Sequence, residues 1–306
     1  MKELFENWKR YLTIDEQVES DSGKVSITLP KFRISEQWGE PGSEDRQIIE
    51  MFTSQIKGAN LQEKIKSLQD FVIGCDEKCA STKDVSEILG SLVFLDALAS
   101  VIYDFNDKTG GFLFESIVAA LLGGSARQVP TPGGPNQPIE DLLDSDDTPL
   151  SLKFLFYGGN KKIGGSIRNA NVAVEKYKQP IKYVVATKNR VHKTGEVLSI
   201  DFHIFTMGNK NYPGDYDIGW LGDLDLYRIR RFKVATLDMG SRSRLQELGQ
   251  KYADRLGEVL IDIYKQIESL SLNVNKYFIS SPEQKSAALD ARNNANVLKK
   301  QTDDLI

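Results

Sequence analysis

Lys153 sits in the middle of an otherwise apolar run, residues 150–156 (LSLKFLF). An uncompensated charge inside such a strand costs several kcal/mol, on the order of the penalties for unpaired buried ions. A neighbouring acid is therefore expected. Side chains alternate along a strand, so Leu150, Leu152, Phe154 and Phe156 share an apolar face while Ser151 and Lys153 point to the other. The preceding residues 144–149 (DSDDTP) are rich in turn formers, and Asp144 or Asp146 could cap the turn. Folding the chain about Asp146 places Asp141 opposite Ser151, one pair from Lys153. A one-residue slip would flip faces and bring Glu140 instead. Upstream, residues 112–122 (FLFESIVAALL) are apolar almost all round, the pattern of a buried helix, and Glu115 is their only charged group. Gly110-Gly111 and Gly123-Gly124 are expected to punctuate the two ends of that helix. A simpler reading leaves Glu115 in the first turn, reaching water where the helix dipole favours a carboxylate. Two carboxylates and an ammonium brought to one spot would suit metal-dependent hydrolysis.

A glutamate on a helix, an aspartate heading a hairpin and x-Lys on the next strand resemble the PD-(D/E)XK nuclease superfamily. The elements that follow fit its core: a helix near 166–178, an apolar strand over 181–187 (IKYVVAT) and another over 198–205 (LSIDFHIF). The resemblance covers roughly residues 108–206. It departs from the family pattern at Ser151, which stands where a second acid is usual; Glu115, on the preceding helix, is given that role. The resemblance implies an α/β fold with a restriction-endonuclease-like core, a mixed central sheet flanked by helices. It further implies Mg²⁺ (or Mn²⁺) held by Glu115, Asp141 and the backbone carbonyl of Leu152, with Lys153 orienting the attacking water or neutralising phosphate charge. Its substrate would be DNA.

Local charge agrees with that substrate. The chain as a whole has a formal net charge of −4, which makes no global case for nucleic acid. Between Lys153 and Lys193, however, there are ten Lys or Arg and a single acid, Glu175. The segment before it (Glu140, Asp141, Asp144, Asp146, Asp147) is purely acidic. An acidic hairpin feeding a basic helix and strand is what a metal site beside a phosphate track requires. Lys161, Lys162, Lys188 and Arg190 belong to that basic set; a solvated surface accounts for some of its lysines, particularly Lys176 and Lys178. Residues 159–166 (GNKKIGGS) lie between a strand and a helix as a nucleotide-binding loop would. Gly165 stands where that loop needs its phosphate-reaching lysine, so nucleotide hydrolysis is disfavoured. Ser166, Arg168 and Asn169 at the helix start could instead grip a backbone phosphate. A later run, 227–236 (YRIRRFKVAT), reads as a strand on which Arg228 and Arg230 share a face. They would either reach DNA or protect an exposed edge.

Cys75 and Cys79 without a second pair nearby make poor evidence for zinc and read as free thiols. The opening residues 1–12 read as an amphipathic helix rather than a signal peptide. No apolar run is expected to approach the ~20 residues of a membrane span. The expected location is the cytoplasm, or a particle assembled there.

The chain of 306 residues, 40% of them hydrophobic, divides by pattern into a mostly helical region (1–106), the core (107–240) and a helical hairpin (241–306). Ser43-Glu-Asp-Arg reads as a helix start, 84–103 as a long buried helix and 24–33 as a strand. Residues 208–223 read as a long loop around Trp220. In the hairpin, helical spacing runs through Leu248, Tyr252, Leu256, Val259, Leu260, Ile263, Ile267 and Leu270. The second arm has a thin stripe of Ala288, Ala291, Ala295 and Leu298, suited to docking on another copy or a virion partner. The whole is similar to proteins of large tailed phages. Three functions are therefore weighed: a metal-dependent deoxyribonuclease, a virion or packaging protein on a nuclease-like scaffold, and a DNA-binding relative without catalysis.

Overall fold

A computed structural model describes residues 34–74, 85–103, 107–130, 137–156, 162–190 and 197–239, with scattered positions between 247 and 297. The opening helix, the strand expected at 24–33 and both cysteines lie outside the described residues. The chain forms two compact units. One comprises Lys31–Cys75 and Gly90–Leu245; the other comprises Met1–Pro30, Asp76–Leu89 and Gln246–Ile306.

Helix α1 (Glu44–Thr53) starts where the sequence indicates, with the Ser43 hydroxyl accepting from the Arg46 amide. Helix α2 (Leu61–Gly74) follows, then α3 (Val85–Tyr103). At Gly90 any Cβ would strike the carbonyl of Phe52, so only glycine lets α3 approach the end of α1. Within α3, Ser86–Tyr103 is the exception to the expectation about apolar runs. It is long and apolar enough to cross a membrane by length and composition, but most of it is buried as a core helix would be.

Helix α4 (Asp107–Leu122) begins five residues earlier than the apolar pattern indicates. Gly110 and Gly111 are inside it; Gly110 faces the Val101 carbonyl, where an added Cβ would sit at 3.3 Å. Glu115 is thus in mid-helix, not in a first turn. Gly123 and Gly124, both at positive φ, end the helix as expected. Its last carbonyls are taken by the Thr53 hydroxyl (to Ala120 O, 2.7 Å) and the Lys64 ammonium (to Leu121 O, 2.6 Å). α4 is thereby fixed to α1 and α2.

The sheet is mixed, open and seven-stranded: β1 (Arg127–Gln128), β2 (Leu142–Leu143), β3 (Pro149–Phe156), β4 (Ile181–Arg190), β5 (Val197–Gly208), β6 (Tyr216–Asp217) and β7 (Lys233–Asp238). Strands β1 to β6 lie in sequence order, and β7 pairs with β5. Only β3–β4 and β5–β6 are parallel. The right-handed crossover rule for such parallel pairs makes helix α5 (Ile167–Tyr177), between β3 and β4, the cover of one sheet face. Its Ala170, Ala173 and Val174 pack with Tyr183, Val185, Phe205 and Met207. On the other face, Phe114 of α4 stacks on Phe154 of β3, with centroids 4.6 Å apart.

The run at 227–236 is not one strand. Asp225 accepts from the Arg228 amide and so caps a short helix α6 (Leu226–Ile229). A 3-10 turn, Arg230–Phe232, follows, and the strand begins only at Lys233. The helix cap overrides the alternation that had placed Arg228 and Arg230 on a strand face. In the other unit, the described positions between 262 and 272 and between 290 and 297 are helical. Asn294 donates to the Ser269 hydroxyl at 2.8 Å and ties these two stretches together.

Candidate active site

The hairpin register settles which acid meets the lysine. Leu142 pairs with Leu150 and Leu143 with Pro149, which sets Asp141 beside Ser151. The turn holds this register through Asp144 and Asp146, whose carboxylates accept from the amides of Ser145 and Thr148. Asp147 takes the left-handed conformation there, at φ 60°. Glu140 is instead buried against α5, where it accepts from Tyr177 Oη (3.1 Å) and Lys176 Nζ (3.4 Å).

Asp141 Oδ2 is a hub. It accepts from the Leu152 amide at 2.6 Å and, at 3.3 Å each, from Ser151 Oγ and Lys153 Nζ. The ammonium also donates to Ser151 Oγ and the Leu152 carbonyl, both at 3.0 Å. The charge that puzzled in sequence is therefore met by three oxygens, each from a residue of the hairpin. Asp141 and Lys153 keep about a quarter of their side-chain surface open to solvent, so the pair is reachable from outside.

Glu115 is close enough to feel both charges. Burial pushes its carboxyl up to about 8; the charge of Asp141 adds to the rise, while Gln128 and Lys153 oppose it. An acid raised in this way is neutral at pH 7. The native state then holds a proton that the unfolded chain has lost, and stability falls as pH rises from about 4.5 to about 8. Glu115→Gln should flatten that fall, worth on the order of a few kcal/mol, in urea titrations across the same pH range.

Two residues of this site carry no sequence signal of their own. Gln128 Nε2 donates to Glu115 Oε2 at 3.2 Å, and its Oε1 accepts from Ser116 Oγ, also at 3.2 Å. Strand β1, which holds Gln128, is joined to Asp141 through the next residue, since the Val129 amide donates to the Asp141 carbonyl. Gln128 is thus the link between the helix acid and the hairpin acid. Tyr183 pairs with Ser151 across β3–β4. Its buried hydroxyl makes no hydrogen bond of full geometry among the described residues, and burial, aided by the Asp141 charge and opposed by the neighbouring Ser151 side chain, raises its pKa. Only knowledge of the parallel register could have placed this tyrosine beside the hairpin.

The donors present fit a hard divalent ion. Burial and then the Asp141 charge raise the Glu115 pKa, and the Leu152 carbonyl accepts from the Lys153 ammonium at 3.0 Å. An all-oxygen set is what Mg²⁺ takes, and Glu115 would add its negative charge on losing its proton. Among the described residues there is no cluster of three or more His, Cys, Asp or Glu, so a backbone carbonyl such as that of Leu152 and retained waters would complete the set.

The residues expected to contact DNA have separate fates. Lys188 is 2% exposed; its ammonium lies 3.5 Å from the Phe156 ring centroid and 4.3 Å from that of Phe154, which withdraws it from any phosphate. Ser166 caps α5 by accepting from the Asn169 amide, and the Asn169 carboxamide donates to the Gln137 carbonyl at 2.7 Å. Both are committed to the fold. Lys162 is exposed and pairs with Asp223 at 3.1 Å, and Arg168 is exposed at the start of α5. Arg228 and Arg230 stack on Trp220 and Tyr227 rather than projecting from a strand. Lys161 lies outside the described residues, as does the side chain of Arg190. No family model, curated protein or solved structure matches this chain.

Proposed function

We propose that this protein is a Mg²⁺-dependent DNA phosphodiesterase of the PD-(D/E)XK type, with Asp141, Glu115 and Lys153 at its centre. The observation that carries the reading is the convergence on one hairpin of Asp141, Lys153 and the Leu152 carbonyl, beside a helix carboxyl whose proton affinity their surroundings raise. The order helix, hairpin, crossover helix and parallel strand also supports it.

Asp141, Glu115 and the Leu152 carbonyl would hold the ion. When bound, it supplies Lewis acidity toward the phosphoryl oxygen and makes water acidic enough to attack at neutral pH. The remaining work falls to the chain. Lys153 keeps its ammonium within 3.0–3.3 Å of the hairpin oxygens, where it can orient the attacking water or offset charge gathering on the phosphate. Ser151, neutral where a further acid would add negative charge, limits the site to two carboxylates. Gln128 fixes the rotamer of Glu115, and Glu115 must release its proton before it can ligate. Mg²⁺ affinity measured calorimetrically should therefore tighten with pH up to about 8, with proton release. Glu115→Gln should remove that dependence.

The decisive assay is incubation of circular and linear DNA with Mg²⁺, Mn²⁺ or chelator. Nicking or linearisation of the circle, lost with chelator and with Lys153→Ala, is the expected result. One observation favours a second reading, a DNA-binding relative without catalysis: Lys153 already satisfies Asp141, Ser151 and Leu152 as an internal ion pair. Salt-sensitive DNA binding that survives loss of Asp141, with no cleavage under any divalent ion, would establish that alternative.

A further inference from the structure

We infer that the segment from Tyr216 to Phe232 is a stacking platform for unpaired bases, so that the substrate of the site above is single-stranded DNA or DNA with an unpaired stretch. This rests on the reading of the substrate as DNA and adds which form of it is bound.

Three arginines in this segment lie over aromatic rings. The Arg228 guanidinium is 4.7 Å from the Trp220 ring centroid, Arg230 is 4.1 Å from Tyr227, and Arg231 is 4.7 Å from Phe232 and 5.3 Å from Tyr216. Trp220 is 42% exposed and Tyr227 is 68% exposed, so part of each ring is open to a ligand. All three arginines are exposed, and among the described residues none is in an ion pair. The acids nearby are held by other work. Asp217 caps the turn at Gly219, Asp225 caps α6, Asp223 pairs with Lys162, and Asp215 accepts from the amide and hydroxyl of Thr206.

Those acids still carry charge, and that decides between two kinds of DNA. Arginines interspersed with aspartates make a weak track for the dense phosphates of a duplex, whose affinity comes chiefly from charge. Exposed rings cannot stack on bases that are already stacked and paired. Unpaired bases offer their faces, and ring stacking with guanidinium support is how single strands are held. The platform is also continuous with the hairpin. Its Ile218, Leu221, Leu224 and Ile229 pack in the same cluster as Ile139, two residues before Asp141. At Gly165 an added Cβ would meet Ile139, Leu221 and the Tyr183 hydroxyl together, so the three converge on one point between platform and site.

The test is fluorescence anisotropy of a labelled oligothymidylate, about 15 nucleotides long to span such a platform, and of a duplex of equal length, both in chelator so that nothing is cut. Wild type should bind the single strand more tightly. Trp220→Ala and Tyr227→Ala should each weaken it roughly tenfold, in the range for loss of one base–ring stack, with Tm unchanged and duplex binding unaffected. Trp220→Phe should retain most of the affinity. The salt slope should correspond to about two released counterions, as three arginines on a single strand allow. Ring variants that bind like wild type would overturn the inference, as would duplex bound as tightly as single strand. Failure to bind either oligonucleotide would also overturn it and leave the rings to a protein partner. The arms separate this from the catalytic reading. Ring-dependent binding without any cleavage keeps the platform and removes the nuclease; cleavage that ignores the rings does the reverse.

Discussion

Asp141→Asn should abolish metal-dependent DNA cleavage while leaving the protein folded. The amide keeps the shape and an oxygen that can accept from the Leu152 amide and from Lys153, so the hairpin register has no reason to change. The negative charge is what disappears. With it goes one of the two carboxylates proposed to hold a divalent ion, and a residual set of one acid and a carbonyl would be too weak to hold Mg²⁺ in competition with water. The loss is expected to be on the order of 10³-fold or more, above the usual effect of removing one electrostatic contact in an active site. Glu115 should respond as well. The Asp141 charge contributes to its raised pKa, so the variant's Glu115 should titrate below about 8. A variant that cleaves within tenfold of wild type would remove Asp141 from the chemistry, and with it the proposed reaction.

Arg46→Ala is expected to be the most destabilising single change in the described structure. The side chain is fully buried. Its Nε donates to Glu50 at 2.8 Å, Nη1 to the Trp38 carbonyl at 2.5 Å and Nη2 to the Ala126 carbonyl at 3.3 Å. Truncation leaves two buried carbonyls unpaired and a carboxylate without its counter-charge, besides a cavity. Breaking a buried pair of this kind costs about 3–5 kcal/mol, a large share of the roughly 5–15 kcal/mol that holds a domain together. Thermal unfolding should shift down by roughly 10 °C at this chain size. Arg46→Lys should not rescue it, since one ammonium cannot span three acceptors in a fixed fork. The position also matters for the site. Trp38 precedes Gly39, and Ala126 precedes the strand of Gln128, so Arg46 clamps both supports of the contact to Glu115.

The sequence exposed the site where one charge conflicted with its surroundings. Lys153 in an apolar strand and Glu115 in an apolar helix are both visible as violations of pattern, and strand alternation with the turn at Asp146 fixes the pairing of Asp141 with Ser151. Residues that work through ordinary polar contacts leave no such violation. Gln128 looks like any surface residue until β1 places it against Glu115. Tyr183 reads as core until a parallel register, which needs the crossover helix, sets it beside Ser151. Glycine is ambiguous for the same reason. Gly123 and Gly124 end α4 through positive φ, whereas Gly110 is spent inside it on close approach to Val101. Lys188 and Arg228 show the other limit. A basic residue in a strand-like run can face a phosphate or an aromatic ring, and only the packing of Phe154, Phe156 and Trp220 distinguishes the outcomes.

Gly39 bears on the chemistry from a distance. A methyl group there would collide with the Gln128 carboxamide, a group that cannot yield without letting go of Glu115. A random-mutagenesis hunt for inactive alleles should therefore return position 39 along with the acids themselves, although it lies in a short turn far from them in sequence. Such an allele would melt almost normally and yet bind metal poorly, and a second-site change shortening residue 128 would be a natural place for suppressors to appear.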